Sequence, residues 1–389
     1  MKIYIVGGAV RDMLLGRVPS DFDFVVQGST KENFLNAFPG AVQVGRGFPV
    51  FLLDGEEYAL ARVERKVGVG HTGFEVRSSE EVSLQEDLLR RDLTINAMAM
   101  CPESGEVIPA DDRCLIDLMN KVIRHTTSST FIDDPLRVFR VARFAAQLPN
   151  FEVADETLVL MNKMRFDLGE LSPQRVFNEM EKALVAPAPR KFFEVLLFSG
   201  CWDPWFTEIV NLKGVPVGPP EGKHAGEADC FQHIMNVMSR VSEDPALRFA
   251  ALCHDLGKAY SEAPPKHPGH DKAGIAPINS LCDRLKVPNK YREAALLFCE
   301  EHMRMHKILE MGAGKAVALI MKIHKSMPGG LLGFLECSIA DGMTMNEAQE
   351  IISRAQAVID ARLPKEFVGR GKACAEIMMQ LRCKTWRNS

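Results

Sequence analysis

An α/β domain at the N-terminus, followed by an all-helical body in several parts, is expected from three features of the 389 residues. Short β-rich segments are confined to roughly the first 125 positions, a helical apolar pattern sets in near residue 130, and Pro/Gly-rich breaks fall at Lys213–Gly222 and Pro328–Gly330. The chain is too long for one ordinary domain.

In the N-terminal part, Ile3–Val6, Phe22–Val26, Val50–Leu53 and Tyr58–Ala61 read as strands, and Met13–Leu15 and Thr30–Ala37 as helices. Further on, Leu136, Val138, Phe139, Val141, Ala142 and Phe144–Ala146 run without a breaker, and Leu158–Met164, Val176–Leu184 and Phe192–Leu197 continue the helical pattern. A second helical unit is expected from about Asp229 to His324, and the last helices after Pro328-Gly329-Gly330. The expected division is a head at 1–125, a helical neck at 126–212, a third unit at 225–326 and a helical tail at 327–389.

No apolar run approaches the roughly 18 residues that span a bilayer, and the opening Met1–Val6 is too short for a signal-peptide core. A cytoplasmic protein with no membrane partner is expected. The ten cysteines include no CxxC pair, so reduced, mostly buried thiols are expected. A net charge of −4 does not advertise a nucleic-acid binder; if RNA is bound, the basic residues must be locally clustered.

Asp21-Phe22-Asp23-Phe24 alternates carboxylates with aromatic rings. In a strand, i and i+2 share a face, so Asp21 and Asp23 would stand side by side with Phe22 and Phe24 buried behind. Such paired oxygen ligands suit Mg²⁺, and two ions about 4 Å apart can activate a hydroxyl and stabilise a leaving pyrophosphate. Alone, the pattern fits a solvated edge strand better than a metal site. Upstream, Gly7-Gly8-Ala9-Val10-Arg11-Asp12 reads as a strand-to-helix turn whose N–H groups, with the Arg11 guanidinium, can meet phosphate oxygens. Glu64–Phe74 is Gly-rich and charged and reads as a loop.

Asp133-Asp134-Pro135-Leu136-Arg137 opens a helix with an Asp cap followed by Pro, and Arg137, Arg140 and Arg143 continue as a basic stripe. Farther along, His254-Asp255 lies in an apolar helix, with His233 about twenty residues before it. These three side chains can converge on one divalent metal, and His267, His270 and Asp271 are candidates for further groups.

Taken together, Gly7–Asp12, Asp21-Phe22-Asp23 and Arg90-Arg91-Asp92-Leu93-Thr94-Ile95-Asn96-Ala97 resemble the signatures of the class II CCA-adding enzyme and poly(A) polymerase superfamily. Phe249–Lys258 is similar to the HD phosphohydrolase domain that some bacterial CCA-adding enzymes carry at their C-terminal side. The resemblance covers nearly the whole chain and is strongest over residues 1–145 and 249–258. It implies template-independent addition of C, C and A to the tRNA 3′ end from CTP and ATP. Asp21 and Asp23 are the implied Mg²⁺ ligands, and Gly8 and Arg11 hold the triphosphate. Arg91 and Asp92 contact sugar and phosphate, Asp134 and Arg137 select the base, and Arg140 binds nucleotide nearby. The Glu64–Phe74 loop is the implied switch from adding C to adding A. Asp133 stands where the family usually has Glu.

For His233, His254 and Asp255 the resemblance implies a Ni²⁺ or related site that hydrolyses phosphomonoesters and 2′,3′-cyclic phosphates. Met303 stands where relatives carry Asp, Asp341 is the candidate substitute, and the departure leaves the activity of this site open at the level of sequence. The tRNA is expected to be held along its acceptor arm, with Arg143, Lys182, Arg190, Lys191, Arg370, Lys372 and Arg382 as candidate contacts. The alternatives are a poly(A) polymerase or partial (CC- or A-) adding enzyme, or a phosphohydrolase on an inactive transferase scaffold.

Overall fold

The computed structural model describes residues 1–44, 50–66, 74–78, 80–219, 221, 226–363 and 372–388. Two compact units form: Met1–Ser172 with Glu194–Cys201, and Pro173–Phe193 with Trp202–Ser389. The first is an α/β head with adjoining helices, and the second is helical.

The head contains β1 (Lys2–Val6), β2 (Asp23–Gln27), β3 (Val42–Val44), β4 (Val50–Leu53), β5 (Glu56–Leu60), β6 (Arg62–Lys66), β7 (Phe74–Ser78), β8 (Met98–Met100) and β9 (Val107–Pro109). Seven of these make one mixed sheet in the order β3-β4-β5-β2-β1-β8-β9. Its pairings are antiparallel except β2 with β5, which run parallel. A parallel pair requires a crossover, and α2 (Lys31–Ala37) lies in that connection, its first turn capped by Thr30. Phe34 from α2 packs with Val26, Phe51 and Leu60 in a core beneath the sheet. β6 and β7 pair separately; residues 67–73 of the expected switch loop lie outside the described residues.

The sheet corrects two details of the aspartate motif. β2 begins at Asp23, so Asp21 precedes the regular strand. Phe22 and Phe24 are half-buried rather than buried, because the β2–β5 register sets Phe24 opposite Tyr58 and the two rings stack at 4.5 Å.

After the head sheet come α3 (Leu84–Leu89), α4 (Arg113–Asn120), α5 (Ser128–Asp133), α6 (Arg137–Gln147) and α7 (Asp155–Met164); α1 (Gly8–Leu14) follows β1. Regular α6 starts two residues later than the Asp-Pro signature suggests, because α5, capped by Thr127, takes up Asp133 as its last residue. Asp134 Oδ1 accepts from Leu136 N at 3.2 Å in the turn that leads into the helix, and α6 itself has no side-chain cap. The inward face of α6 buries Val138, Phe139, Val141 and Ala142.

The helical unit runs through α8 (Pro173–Leu184), part of α9 (Arg190–Ser199), α10 (Thr207–Val210), α11 (Cys230–Arg240) and α12 (Pro245–Cys253). It continues with α13 (His270–Ala273), α14 (Ile275–Leu285), α15 (Asn289–Met305), α16 (Ala313–Ser326), α17 (Gly330–Ala340), α18 (Met345–Asp360) and α19 (Lys372–Asn388). α12 is buried from Ala246 to Cys253, as expected of a helix apolar on every side. Its one charge, Arg248, donates to the carbonyls of Val241, Leu184 and Ala186, which satisfies the buried guanidinium. Seven of the ten free cysteines are buried. Among the described residues no helix is long and apolar enough to cross a membrane.

Candidate functional site

Strand register brings the head motifs to one end of the sheet. β1 ends at Val6, directly opposite Asp23 on β2 and Ala99 on β8. The turn at Gly7-Gly8 therefore lies beside the start of the aspartate strand and beside the segment that enters β8. Gly7 has φ +74°, and a Cβ there would sit 3.0 Å from Arg91 Nη1, so both backbone and space call for glycine. Gly7 N also donates to Met98 O at 3.1 Å, which ties the turn to β8.

A network of charges backs this end. Asp92 is buried; its Oδ2 accepts from Arg140 Nε at 2.7 Å and its Oδ1 from Leu93 N at 2.9 Å. Burial works against ionisation, but Arg140, Arg137 and Arg143 hold the Asp92 carboxyl well below the usual carboxylate range. Asn96 joins the halves, donating to Asp92 Oδ1 at 3.4 Å and accepting from Arg11 Nη1 at 2.8 Å. Arg11 also grips Asp12 through Nε and Nη2, both at 2.9 Å. Arg137 donates to the carbonyls of Arg91 and Arg90 at 3.0 and 2.7 Å, fixing the Arg90–Asp92 backbone from α6. Arg91 keeps a buried Nε with no hydrogen-bond partner among the described residues. Burial lowers its pKa, opposed by Asp87.

Asp21 and Asp23 are exposed. Partial desolvation by the surrounding protein raises the Asp23 pKa. Arg91 opposes the shift, and Asp21, Glu57 and Glu56 add to it. Glu57 stands opposite Asp23 in the parallel β2–β5 register. Negative charge gathered on accessible carboxylate oxygens is what a hard divalent cation neutralises, so the donor set fits such an ion.

The sequence-predicted head residues Gly8, Arg11, Asp21, Asp23, Arg91, Asp92, Asp134, Arg137 and Arg140 all belong to this one unit. Of the expected tRNA contacts, Arg143 is a correction: it is buried, donates to Gln147 Oε1 and lies over the Phe144 ring. Lys182 is exposed, while Arg190 donates to Asn236. Arg370 and the Lys372 side chain lie outside the described residues.

The helical unit holds a second cluster, centred where α12 ends. His233 (α11), His254 and Asp255 (after α12), His270 (α13), His302 (α15) and Asp341 (after α17) are all buried. His233 Nε2 lies 3.3 Å from Asp255 Oδ2 and 3.2 Å from Asp341 Oδ1. His254 Nε2 lies 3.4 and 3.6 Å from the same two oxygens and meets the hydrogen-bond criteria with no partner among the described residues. Lys258 Nζ meets Asp255 Oδ2 at 2.6 Å. Burial opposes a charged His233, yet bonds to Asp255, Asp341 and Glu227 push it up to about 11; His254, likewise against burial, is pushed up to about 9 by the Asp255 and Asp341 charges. Protons are thus held where His and carboxylate ligands could hold a metal. Gly257 keeps the cluster compact: a Cβ there would fall 2.0 Å from His270 O.

Asp341 supplies the carboxylate that the sequence sought at position 303. Met303 is exposed, so its side chain points away from the cluster, whereas the preceding His302 points in. His267 is turned to Pro216 O at 2.7 Å, and Asp271 is only half-buried. Sequence reasoning gave no role to Glu57, Asn96, Glu227 or His302. The first two depend on long-range register; a His302/His306 pair one helical turn apart was the available signal for the last.

Residues 3–124 match the family described as Poly A polymerase head domain, and residues 150–212 the Probable RNA and SrmB-binding site of polymerase A. A Multifunctional CCA protein of Shewanella denitrificans is 46% identical over 353 residues, covering 88% of this chain and 84% of its own. A second, from Pseudoalteromonas atlantica, is 46% identical over 324 residues, covering 80% and 78%. Among solved structures, the Thermotoga maritima CCA-adding enzyme complexed with tRNA aligns with a TM-score of 0.65 at 19% identity, covering 100% of this chain and 87% of that one, a likeness of fold.

Proposed function

We propose that this chain, which belongs to the multifunctional CCA protein family, is a tRNA nucleotidyltransferase that adds C, C and A to the tRNA 3′ end from CTP and ATP. The observation that carries the reading is the convergence of Gly7-Gly8, Asp23 and Arg91–Asn96 at one end of the head sheet. It is supported by the multifunctional CCA proteins among the relatives and by solved structures of CCA-adding enzymes with CTP and with ATP.

In this reading Asp21 and Asp23 hold a divalent cation, Mg²⁺, with Glu57 beside them. When bound, the cation lowers the pKa of the attacking 3′-hydroxyl and offsets charge on the departing pyrophosphate. Gly8 N–H and Arg11 receive the triphosphate, and Asn96 keeps Arg11 aimed. Arg91 brings a partly exposed guanidinium to the sugar and phosphates. Asp92 acts through Arg140, which it orients. Asp134 and Arg137 read the Watson–Crick edge of the incoming base: a carboxylate accepts from an exocyclic amine, and a guanidinium donates to ring nitrogen or carbonyl. The working division is a head at 1–125, a neck at 126–212 that reads the base and binds the acceptor arm, an HD domain at 225–326, and a tail at 327–389 that contributes Asp341 to the HD cluster. The enzyme acts in the cytoplasm.

The cluster around His254-Asp255 is a second, HD-type site for a divalent metal such as Ni²⁺, held by His233, His254, Asp255 and Asp341. It hydrolyses phosphomonoesters or 2′,3′-cyclic phosphates. The convergence of His233 Nε2 and His254 Nε2 on the carboxylates of Asp255 and Asp341, inside the protein and with no well-formed hydrogen bond to His254 Nε2 among the described residues, favours this reading.

Separating the two sites tests both. Asp21→Ala should lower nucleotide addition by roughly 10³-fold, as expected when a preorganised electrostatic contact to the transition state is removed. Metal-dependent hydrolysis of a 2′,3′-cyclic phosphate should be retained. Full addition by Asp21→Ala would remove Asp21 from the metal site.

A further inference from the structure

We propose that Phe144 is a positioning residue for nucleotide addition: its ring is the common seat of the Arg11, Arg140 and Arg143 guanidiniums and sets where the nucleotide-binding cations stand. The inference rests on the nucleotidyltransferase reading above and adds a residue to it.

The pattern along α6 sets Phe144 apart. At about 3.6 residues per turn, successive side chains are rotated by roughly 100°. Val138, Phe139, Val141, Ala142, Ala145 and Ala146 then fill one arc of the helix, and all are buried. Arg137, Arg140, Arg143 and Gln147 fill the opposite arc. Phe144 projects between Arg137 and Arg140, within the polar arc. A ring in that position would ordinarily face water, yet Phe144 is only 6% exposed.

What covers it is charge. The guanidinium carbon of Arg143 lies 4.0 Å from the ring centroid, that of Arg11 5.4 Å and that of Arg140 5.8 Å. All three fall inside the roughly 6 Å within which a cation and a π face attract. Arg140 and Arg143 come from α6 itself. Arg11 comes from α1, the helix that opens at the Gly7-Gly8 turn. One ring therefore joins the cation beside the glycine turn to the cation on the neck helix. The same two guanidiniums are tied a second time through polar groups: Arg11 to Asn96, Asn96 to Asp92, and Asp92 to Arg140.

A ring at this place has a chemical consequence. Like charges gathered together repel, so something must hold them. Arg11 already grips Asp12, and Arg140 already grips Asp92. A further carboxylate at position 144 would also hold the guanidiniums, but it would cancel the charge that an incoming triphosphate has to meet. An aliphatic side chain would fill the space without attracting them. The negative face of an aromatic ring attracts guanidiniums and leaves their charge in place. Without it, Arg11 and Arg140 are free to splay, and the nucleotide loses preformed contacts that the tRNA does not use.

The test measures KM and kcat for ATP on a tRNA transcript ending in CC, and for CTP on one ending before CCA. KM for each tRNA and a thermal melt are read alongside. Mono-, di- and trifluorinated phenylalanine installed at position 144 drain the π face stepwise at nearly constant shape, and Phe144→Leu and Phe144→Tyr complete the series. The proposal expects KM for both nucleotides to rise with each fluorine and to reach about tenfold in Phe144→Leu. KM for tRNA should be unchanged, and Phe144→Tyr should stay close to the parent. A nucleotide KM that is constant across the fluorinated series would overturn the proposal, even where Phe144→Leu melts lower or turns over more slowly, because Phe144 would then contribute packing alone. If Phe144→Leu fails to fold, the fluorinated series decides. No addition by the parent would overturn the transferase reading and this inference with it.

Discussion

The two sites of this protein differ in almost every physical respect. The head site offers exposed aspartates at a sheet end, with guanidiniums arranged behind them. The helical site offers buried imidazoles and carboxylates whose tautomers are set by surrounding carbonyls. The difference follows from what each must admit. A site that receives a nucleotide and the end of a large RNA has to stay open, so its ligand set is incomplete until substrate arrives. A buried His/Asp cluster can hold its cation permanently, at the cost of desolvating every ligand.

Each contrast can be broken by a substitution. The largest expected effect is at Gly257, where any Cβ collides with the His270 carbonyl. Gly257→Ala should destabilise the helical unit by about 3 kcal/mol and weaken its metal affinity roughly 10- to 100-fold, read by chemical denaturation and metal titration. Unaltered metal binding would show that His270 is not held by that crossing. Next comes Asp92→Asn, which removes the anion paired with Arg140. A loss of about 2 kcal/mol is expected in urea melts, with weaker nucleotide binding because Arg140 is released. Binding that falls with no change in stability would instead mean that Asp92 touches the nucleotide itself.

The smallest effect carries the opposite sign. The Asp23 carboxyl is held above its ordinary pKa by desolvation and by neighbouring carboxylates. A carboxylate whose folded pKa is raised costs stability above that pKa and nothing once protonated. In chelator at pH 7, Asp23→Asn should therefore melt slightly above the parent. The gain should vanish as pH falls through the Asp23 pKa. A lower melting temperature at pH 7 would reveal a structural bond made by Asp23 and remove it from the set of residues kept for chemistry.

Local sequence made much of this legible. The Gly7-Gly8 turn, the aspartate strand and the apolar face of α6 follow from period and glycine rules, and the HD dipeptide was visible at the end of an apolar helix. What stayed hidden depends on long-range packing. Glu57 meets Asp23 only because β5 runs parallel to β2. Asp341 was named from sequence as the substitute for position 303, but its contact with His233 from the end of α17, more than a hundred residues away, rests on helix packing that no local pattern encodes. Met303 misled because adjacent helical positions point in different directions: His302 faces in and Met303 out. Arg143 read as surface from charge alone, yet its stem and guanidinium are packed along Phe144.

The most direct test of the central claim is nucleotide addition to tRNA transcripts ending before CCA, after C and after CC, with Mg²⁺ and with CTP or ATP supplied separately. The account predicts that CTP extends only the first two substrates, that ATP extends the third by one residue, and that synthesis stops at CCA. Runs of A, or no addition to any of the three, would contradict it.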